Sequence, residues 1–491
     1  MKKSLFALLI VALFLSAITA MESCHKESFT NKGALSFSTD TLTFDTVFTS
    51  LGTTTRSFKV RNTQGKAIQI SSIKLMQLQG ATFRMNVDGV SGNSFTNVEI
   101  PAHDSIYVFV EATINPNSGV NPLLIFDQIQ FVTNGTTQQV TLMAYGQNAY
   151  YYRGRRIFSG TVTFPTDKPI IILRGDSFPG LEVRDAATLN IAAGTKIFVG
   201  PNALISVNGT LNCNGTASDS IIFQGLRLEA SYDAKPGQWL GILFGRNNTY
   251  GAHINMTHTI VDESYFGVSD EHILNVLAGA RLTDSRLPDY QSYPITPTVT
   301  LNKTIIRNAS STCLTAFKAT LNAVNCLFHS AGGQMVVCGL GGTYNFTHCT
   351  LANVNNRYTD HKSESLTLTE SLVDIDEAGV GPFAISATVT NCVVYGTLQN
   401  ELAFSPRNIS NVSFQNCLLR IPEDSFHLVQ AANNSCIFNQ DPLFREESGN
   451  DYRPDSVPSP LYRSGTVTSV SDDLRDVLRS TPPDIGALQW P

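Results

Sequence analysis

One polar stretch carries the side chains best suited to chemistry. It reads NVNNRYTDHKSES, residues 353–365. A lyase acting on a uronate-containing polysaccharide needs a base to remove the C5 proton and a cation to neutralise the sugar carboxylate. His361, Tyr358 or Lys362 could be that base, and Arg357 the neutralising cation. The alternative interpretation is a solvated surface loop, because loops are usually polar and no catalytic signature is matched.

A second polar stretch follows closely. It reads DIDEAGVG, residues 374–381, and supplies the carboxylates of Asp374, Asp376 and Glu377. Three carboxylates on one loop are typical ligands of Ca²⁺, and a solvated loop is again the alternative. No other cofactor is predicted, because the sequence has no Gly-rich phosphate loop, His/Cys metal spacing or G-x-S-x-G turn.

The elements that would position these loops follow from an internal repeat. Small residues, several within an Asn-Cys step, recur about every 22 residues and serve as anchors of the repeat. They are Thr259, Ser285, Thr304, Cys326, Cys349, Ser371, Cys392, Cys417 and Cys436. Apolar residues stand two positions after every anchor and, in nearly every copy, three and five positions before it.

This pattern predicts one coil of a parallel β-helix per repeat. Period-two alternation marks a strand with one buried face, and the phase shift before the anchor marks a tight corner. The Asn of each Asn-Cys step would occupy that corner in a left-handed conformation. The cysteines are then interior packing residues and not metal ligands; a Cys326–Cys349 or Cys392–Cys417 disulfide remains the alternative.

Two further columns of the repeat point outward. Three positions after the anchors stand Asp262, Arg307, His329, Asp374, Tyr395 and Arg420. They would line either a sugar-binding face or an ordinary solvated edge of the sheet. One position after the anchors stand apolar residues such as Ile260, Ile305 and Leu327. An exposed apolar stripe of this length is unfavourable, so loops, another domain or a partner should cover it.

The chain's beginning is typical of an exported protein. Residues 1–23 combine a basic start with an apolar run shorter than a typical membrane span, which indicates a signal peptide. Cys24 follows Met-Glu-Ser, a stretch that resembles a bacterial lipobox and implies lipid anchoring at the outer membrane or cell surface. A plain secretory signal is the alternative. The net charge of −6, without a Lys/Arg run, argues against a nucleic-acid partner.

The remaining organisation rests on alternating strands and on resemblances. Residues 33–149 alternate as a β-sandwich does, and the order DTVF…FKVRN…SIYVFVEATI…VTLMAYG resembles immunoglobulin-like domains of the major-sperm-protein/ASPM/hydin type, which are binding or spacer modules. The stretch LNIAAGTKIFVGPNALISVNGTLNCNG resembles the first coils of bacterial right-handed β-helix proteins. DPLF and DIGA near the end resemble the closing segment of choice-of-anchor Q-type proteins, although DDLRDVLRS departs from that pattern.

The sequence therefore predicts a two-domain, all-β surface lipoprotein similar to those of Bacteroides-type bacteria. A β-sandwich at 33–149 precedes a right-handed parallel β-helix at 150–440 and a capping segment at 441–491. The first hypothesis for function is a monomeric module that binds an extended polysaccharide or another surface polymer. The alternatives are a polysaccharide lyase or glycoside hydrolase acting in the same groove, and an adhesin or structural spacer.

Overall fold

The structure is a computed structural model that describes residues 28–78, 81–114, 123–246, 250–271, 296–354, 356–373, 379–405, 411–425, 435–447, 450–455 and 458–490. The chain divides into two compact units, Met1–Asn148 and Ala149–Pro491. Across the described ranges, the regular secondary structure consists of β-strands and one 3-10 helix at Glu423–Ser425. The predicted all-β class is confirmed. The described residues contain no helix with the length and apolarity to cross a bilayer, and Cys24 lies outside them.

The first unit contains ten strands among its described residues. They are β1 Ser36–Phe37, β2 Thr41–Phe48, β3 Arg56–Arg61, β4 Ile68–Leu75, β5 Ala81–Val87, β6 Val90–Ser91, β7 Ser94–Ile100, β8 Ser105–Ile114, β9 Leu123–Thr133 and β10 Thr136–Gln147. They form two five-stranded sheets, ordered β1-β3-β8-β5-β6 and β2-β10-β9-β4-β7. One apolar cluster draws buried side chains from both sheets, so the sheets pack face to face.

The strands of the second unit follow in chain order. They are β11 Tyr150–Arg153, β12 Arg155–Thr163, β13 Ile170–Leu173, β14 Gly180–Ala192, β15 Lys196–Val199, β16 Leu204–Val207, β17 Thr210–Asn214, β18 Ile221–Gly225, β19 Trp239–Phe244, β20 His253–Thr257, β21 Thr259–Val261, β22 Ser264–Asp270, β23 Thr298–Asn302, β24 Ile305–Ala309, β25 Thr312–Val324, β26 Leu327–Ala331, β27 Val336–Thr347, β28 Thr350–Asn353, β29 Leu366–Thr369, β30 Leu372–Val373, β31 Gly379–Val380, β32 Ile385–Thr390, β33 Val393–Gly396, β34 Leu402–Ser405, β35 Val412–Gln415, β36 Leu418–Leu419, β37 Ile437–Phe438, β38 Phe444–Glu446 and β39 Asp451–Pro454.

Two long sheets with parallel pairing dominate the second unit. The eleven-stranded sheet runs β11-β13-β15-β18-β21-β24-β26-β28-β33-β36-β37, and a fourteen-stranded sheet contains most of the remaining strands. Neighbouring strands of a sheet lie about 4.8 Å apart, so the eleven-stranded sheet extends over about 48 Å. Each strand pairs with its counterpart in the next repeat, which places equivalent residues of successive repeats side by side.

The predicted interior column is present in register. Pairing aligns Val261 with Ile306, Ile306 with Phe328, Phe328 with Leu351 and Leu351 with Val394. All five side chains are buried in one continuous apolar cluster. The anchors Thr259, Thr304, Cys326, Cys349, Cys392 and Cys417 are buried as well, whereas Cys436 is half-buried. The thiols of Cys326, Cys349, Cys392 and Cys417 bond backbone carbonyl oxygens, and every described cysteine is free. The predicted interior role is confirmed, and the disulfide alternative is wrong.

The corner residues adopt the predicted left-handed conformation. Asn325, Asn391 and Asn416 have φ angles of 52°, 54° and 49°. Asparagine tolerates this region because its short amide can bond locally or to a nearby backbone group. Lys303 and His348 occupy the same position of other repeats, with φ angles of 50° and 53°.

Two predicted anchors need separate treatment. Ser371 does not form a corner, because β28 pairs directly with β33. Val373, two positions after Ser371, pairs antiparallel with Gly379 in a local hairpin. The stretch before Ser371 belongs instead to the other sheet, where Leu366 aligns with Val336. Ser285 lies outside the described residues.

The C-terminal residues 458–490, here named the C-terminal strap, follow the corners of successive repeats in reverse order. The corner side chains reach the strap through the pairs Asn416 Nδ2–Ser464 O at 3.0 Å, Asn391 Nδ2–Thr466 O at 2.8 Å, His348 Nε2–Thr468 Oγ1 at 3.2 Å, Asn325 Nδ2–Asp472 O at 2.9 Å and His258 Nε2–Asp476 Oδ1 at 3.2 Å. The strap therefore lies along the sheet instead of only closing its end, as a simple cap would.

The strap also covers most of the outward apolar stripe. Leu327 packs with Leu474 and Leu488 of the strap, and Val393 and Leu418 pack with Leu461 and Ile485. The predicted need for a cover is confirmed, and a segment of the same chain provides it.

Candidate functional site

The polar loop at 353–365 connects β28 with β29, and its predicted catalytic residues have different surroundings. Lys362 is exposed and pairs with Asp360 at 3.2 Å, with both side chains about three-quarters in solvent. An ion pair this exposed contributes little to stability. Arg357 is also exposed, and its guanidinium lies 5.2 Å from the centre of the Tyr358 ring. Of the predicted catalytic residues, Lys362 and Arg357 can therefore reach a ligand in solution, and Tyr358 is half-buried.

His361 is enclosed. Its side chain has no exposed surface, and its Nε2 lies 2.7 Å from the backbone oxygen of Ser363 and 3.2 Å from Glu401 Oε2. The other ring nitrogen, Nδ1, lies 3.0 Å from Thr397 Oγ1. A base that removes a proton from a polymer must touch that polymer, so this geometry supports a structural contact. The predicted catalytic role is not tested and stays a prediction.

Glu401 completes this buried pair. It lies between β33 and β34, in the loop of the repeat that follows the 353–365 loop, and is fully buried. It accepts hydrogen bonds from Ser365 Oγ at 2.7 Å and from the Leu398 amide at 2.9 Å. A buried carboxylate with several donors fixes the two loops to each other. The sequence interpretation missed Glu401 because it took Ser371 as a corner, which shifted the matching loop to 374–381.

The proposed Ca²⁺ ligands Asp374, Asp376 and Glu377 lie outside the described residues, so the calcium prediction stays a prediction. In the part of the chain that the structure describes, no three His, Cys, Asp or Glu residues group closely enough to hold a metal ion.

Tyr358 joins two loops from distant repeats. Its hydroxyl donates a hydrogen bond of 3.2 Å to the backbone oxygen of Ser231, in the loop between β18 and β19. Two cations lie over the ring of the neighbouring Tyr232. The Arg227 guanidinium is 3.9 Å and the Lys235 ammonium 4.4 Å from the ring centre.

These contacts define a surface named here the tyrosine patch. It consists of Tyr232, Tyr358, Arg227, Lys235 and Arg357. Arg357 is exposed and the other four residues are half-buried. Their aromatic faces and guanidinium groups can stack on a flat ligand and bind its oxygen atoms.

The first half of the predicted outward polar column, from Asp262 to His329, is neither a sugar-binding face nor a solvated edge. Asp262 is buried and accepts hydrogen bonds from Arg307 Nε at 2.7 Å and Asn308 Nδ2 at 2.8 Å. His329 has no exposed surface, and its ring lies 5.0 Å from that of Tyr452. Burial, with Arg307 adding to it, holds the pKa of His329 well below its usual range.

Glu263 is a buried carboxyl group next to this column. Its oxygen atoms accept hydrogen bonds from the Ala234 amide at 2.9 Å and the Gly225 amide at 3.2 Å, so it fixes both ends of the loop that carries Tyr232. Burial, and secondarily the charge of Asp262, raises the pKa of Glu263 to about 8.

We expect the stability of the protein to fall with pH because of Glu263. Its pKa is raised in the folded state, so folding favours the protonated form, and that stabilisation is lost as the pH rises from about 4.5 to about 8. One proton contributes a slope of at most about 1.4 kcal/mol per pH unit. The free energy of unfolding of Glu263→Gln, measured with denaturant, should fall less steeply with pH than that of the native protein. The exposed Glu423→Gln is the matched control, and identical pH profiles for all three proteins would contradict the assignment.

A cavity of about 560 Å³ lies beside the strap, at the end of the apolar stripe that contains Ile260. Ile260, Ile305 and Leu327 contribute apolar surface to it, and Lys303 is among its polar lining residues. Lys303 forms ion pairs with Asp472, at 3.0 Å, and with Asp476. The cavity therefore offers mainly apolar contacts next to a neutralised cation.

Comparison with known proteins identifies no family. No protein-family model matches the chain, and no curated protein matches it. A family 123 glycoside hydrolase from Clostridium perfringens aligns at 6% identity and a TM-score of 0.16, over 23% of this chain and 26% of that one, so the match spans about a quarter of its length. The catalytic domain of a GH87 α-1,3-glucanase in complex with nigerose aligns at 12% identity and a TM-score of 0.14, over 74% of this chain and 82% of that one.

Proposed function

We propose that the protein is an exported surface module whose second unit binds an extended polysaccharide through the tyrosine patch. In this proposal the second unit is a right-handed parallel β-helix, and the first is an immunoglobulin-like β-sandwich. Lipidation at Cys24 would hold the protein at the outer membrane or cell surface, as the signal-like start suggests.

One observation carries the proposal. The hydrogen bond from Tyr358 to Ser231 joins loops from repeats that are far apart in the chain, and it thereby brings two tyrosine rings and their cations to one edge. Rings held by other contacts lose little conformational freedom on binding, which favours affinity. A parallel sheet of this length offers an extended polymer many successive repeats to follow.

Binding is favoured over lyase activity by the surroundings of His361. A base in the reaction must reach the sugar C5 proton, whereas His361 is enclosed by Glu401, Thr397 and Ser363. Arg357 is exposed and Tyr358 is half-buried, so they are the pair through which a lyase reaction would run. The experiment below therefore measures turnover as well as binding.

Binding to a panel of acidic and neutral polysaccharides tests the proposal. We expect the full chain to be retarded in gels containing at least one of them, without the absorbance of unsaturated products. Tyr232→Ala and Tyr358→Ala should each weaken binding by about tenfold, as loss of one stacking ring does. Tyr358→Phe keeps the ring and removes only the hydrogen bond to Ser231, so its loss should be smaller.

The matched control is Tyr250→Ala, an exposed tyrosine of the same unit outside the patch, with 45% of its surface in solvent. The proposal is wrong if both patch variants bind every glycan as the native protein does. A different outcome is that the native protein forms unsaturated products and Tyr358→Phe does not. That result would show that the protein is a lyase and not a binding module.

A further inference from the structure

The first unit exposes aromatic rings at the centre of a sheet. Strand β8 is the middle strand of the sheet β1-β3-β8-β5-β6. On its inner face Ile106, Val108 and Val110 are buried, while on its outer face Tyr107 and Phe109 are 42% and 39% exposed. A solvated face of an antiparallel sheet normally carries polar residues, so two adjacent exposed rings on a central strand need an explanation.

The two rings form a pair of defined geometry. Their centres are 5.8 Å apart and their planes are within 21° of parallel. Lys59, which the register places opposite Tyr107, holds its ammonium 4.8 Å from the centre of the tyrosine ring. The rings are thus ordered by their neighbours and still open to solvent.

Polar side chains flank the rings on the neighbouring strand. The register places Asn86 opposite Phe109 and Arg84 opposite Glu111, the next outward residue of β8. Arg84 and Glu111 form an ion pair of 3.3 Å, and Asn86 donates a hydrogen bond of 3.2 Å to Ser91 Oγ. These groups provide hydrogen-bond donors and acceptors at the edge of the aromatic surface.

A cavity lies directly beside this surface. It has a volume of about 540 Å³, and its lining includes Phe109, Arg84, Asn86, Asn93 and Glu111. This volume falls within the range of small-ligand sites, which combine aromatic walls with a few convergent polar groups. The ring pair continues from this open cavity along β8, so a ligand in the cavity can extend onto the rings.

We propose that this face of the first unit is a second binding site, and that its ligand is a neutral polysaccharide chain. The C–H face of a sugar ring packs on an aromatic face, and its hydroxyl groups bond to amide, guanidinium and carboxylate side chains. The charged groups Lys59, Arg84 and Glu111 nearly balance, which gives no preference for nucleic acid or an anionic membrane. The apolar area is only two rings wide, smaller than a standard protein interface requires. This site is independent of the tyrosine patch.

The test uses the full chain with the tyrosine patch removed by Tyr232→Ala and Tyr358→Ala. We expect this background protein to bind at least one soluble neutral glucan, mannan, galactan or xylan, measured by affinity electrophoresis and calorimetry. Adding Tyr107→Ala or Phe109→Ala should raise the Kd by about tenfold. Tyr107→Phe should stay close to the background value, because it keeps the ring.

The matched control is Tyr145→Ala, an equally exposed tyrosine, 38% in solvent, on strand β10 of the opposite sheet. It should leave the Kd unchanged, and equal melting temperatures for all variants would show that each is folded. The inference is overturned if the background protein binds no neutral glycan, or if Tyr107→Ala and Phe109→Ala bind as tightly as the background. Either result leaves the proposal for the tyrosine patch intact, because that proposal is tested by the patch variants alone.

Discussion

Replacing Arg479 by alanine should detach the C-terminal strap and lower the free energy of unfolding by about 3 kcal/mol or more. The Arg479 guanidinium bonds the backbone oxygens of Asp472 at 3.0 Å and Gly486 at 3.0 Å, and Asn325 Oδ1 at 2.6 Å. One side chain thus joins two separate parts of the strap to a corner of the sheet. Without it, buried acceptors would lose their partner.

The charge of Arg479 adds to this effect. Burial lowers the pKa of Arg479 to about 10, although Asp473 and Asp484 act in the opposite direction. The side chain therefore remains charged at neutral pH, and its charge adds to the compensation that Asp473 receives from Arg475 at 3.5 Å and that both carboxylates receive from backbone amides. Removing the cation would leave these carboxylates less compensated in an apolar setting.

Denaturant unfolding and hydrogen exchange of the strap amides measure the prediction. Arg479→Lys keeps the charge and loses the planar guanidinium. Its free energy of unfolding should therefore lie between those of Arg479→Ala and the native protein. Arg463→Ala is the matched control, because Arg463 is an exposed arginine of the same strap. If Arg479→Ala unfolds within about 0.5 kcal/mol of the Arg463→Ala protein, a range typical of surface changes, the strap does not depend on this residue.

The repeat was predictable because the anchor position next to each corner accepts only a narrow class of small residues. Interior places next to the corner accept only small side chains, so Cys326, Cys349, Cys392 and Cys417 mark the register in the sequence. Left-handed backbone selects asparagine at several corners. Both signals are local, and together they yield the column that contains Phe328, Leu351 and Val394.

The error at Ser371 has a physical cause. Each repeat contains more than one strand with an alternating apolar pattern, and Leu366-x-Leu368 satisfies that pattern as well as a strand that precedes a corner. A polar insertion then lengthens the repeat, so that 43 residues separate Cys349 from Cys392. Periodicity alone cannot show which of two similar strands precedes the corner. The same error concealed Glu401 as the neighbour of the 353–365 loop.

The strap could not be predicted in the same way. Many of its contacts use backbone oxygens, such as those of Ser464, Thr466 and Asp472, which every residue possesses. Its side chains follow no period, since it crosses the repeats instead of belonging to one. The sequence indicated only that the apolar stripe needs a cover, and tertiary structure alone identifies which segment provides it.

Replacing His361 by alanine should lower the free energy of unfolding by about 3 kcal/mol. The His361–Glu401 pair has no exposed surface on either side chain, with 3.2 Å between Nε2 and Oε2. Glu401 would keep its bonds from Ser365 and Leu398 and lose its remaining neighbour, so a buried carboxylate would be less well compensated. The loop at 353–365 should then exchange its amide hydrogens faster.

A double-mutant cycle separates this structural role from catalysis. His361→Ala and Glu401→Ala should be strongly non-additive, because each removes the same contact. The exposed His253→Ala is the matched control for loss of a histidine in this unit. The opposite pattern would be native-like stability for His361→Ala together with loss of polysaccharide cleavage that the native protein performs. That result would restore His361 as the base and show that the loop opens to admit the polymer.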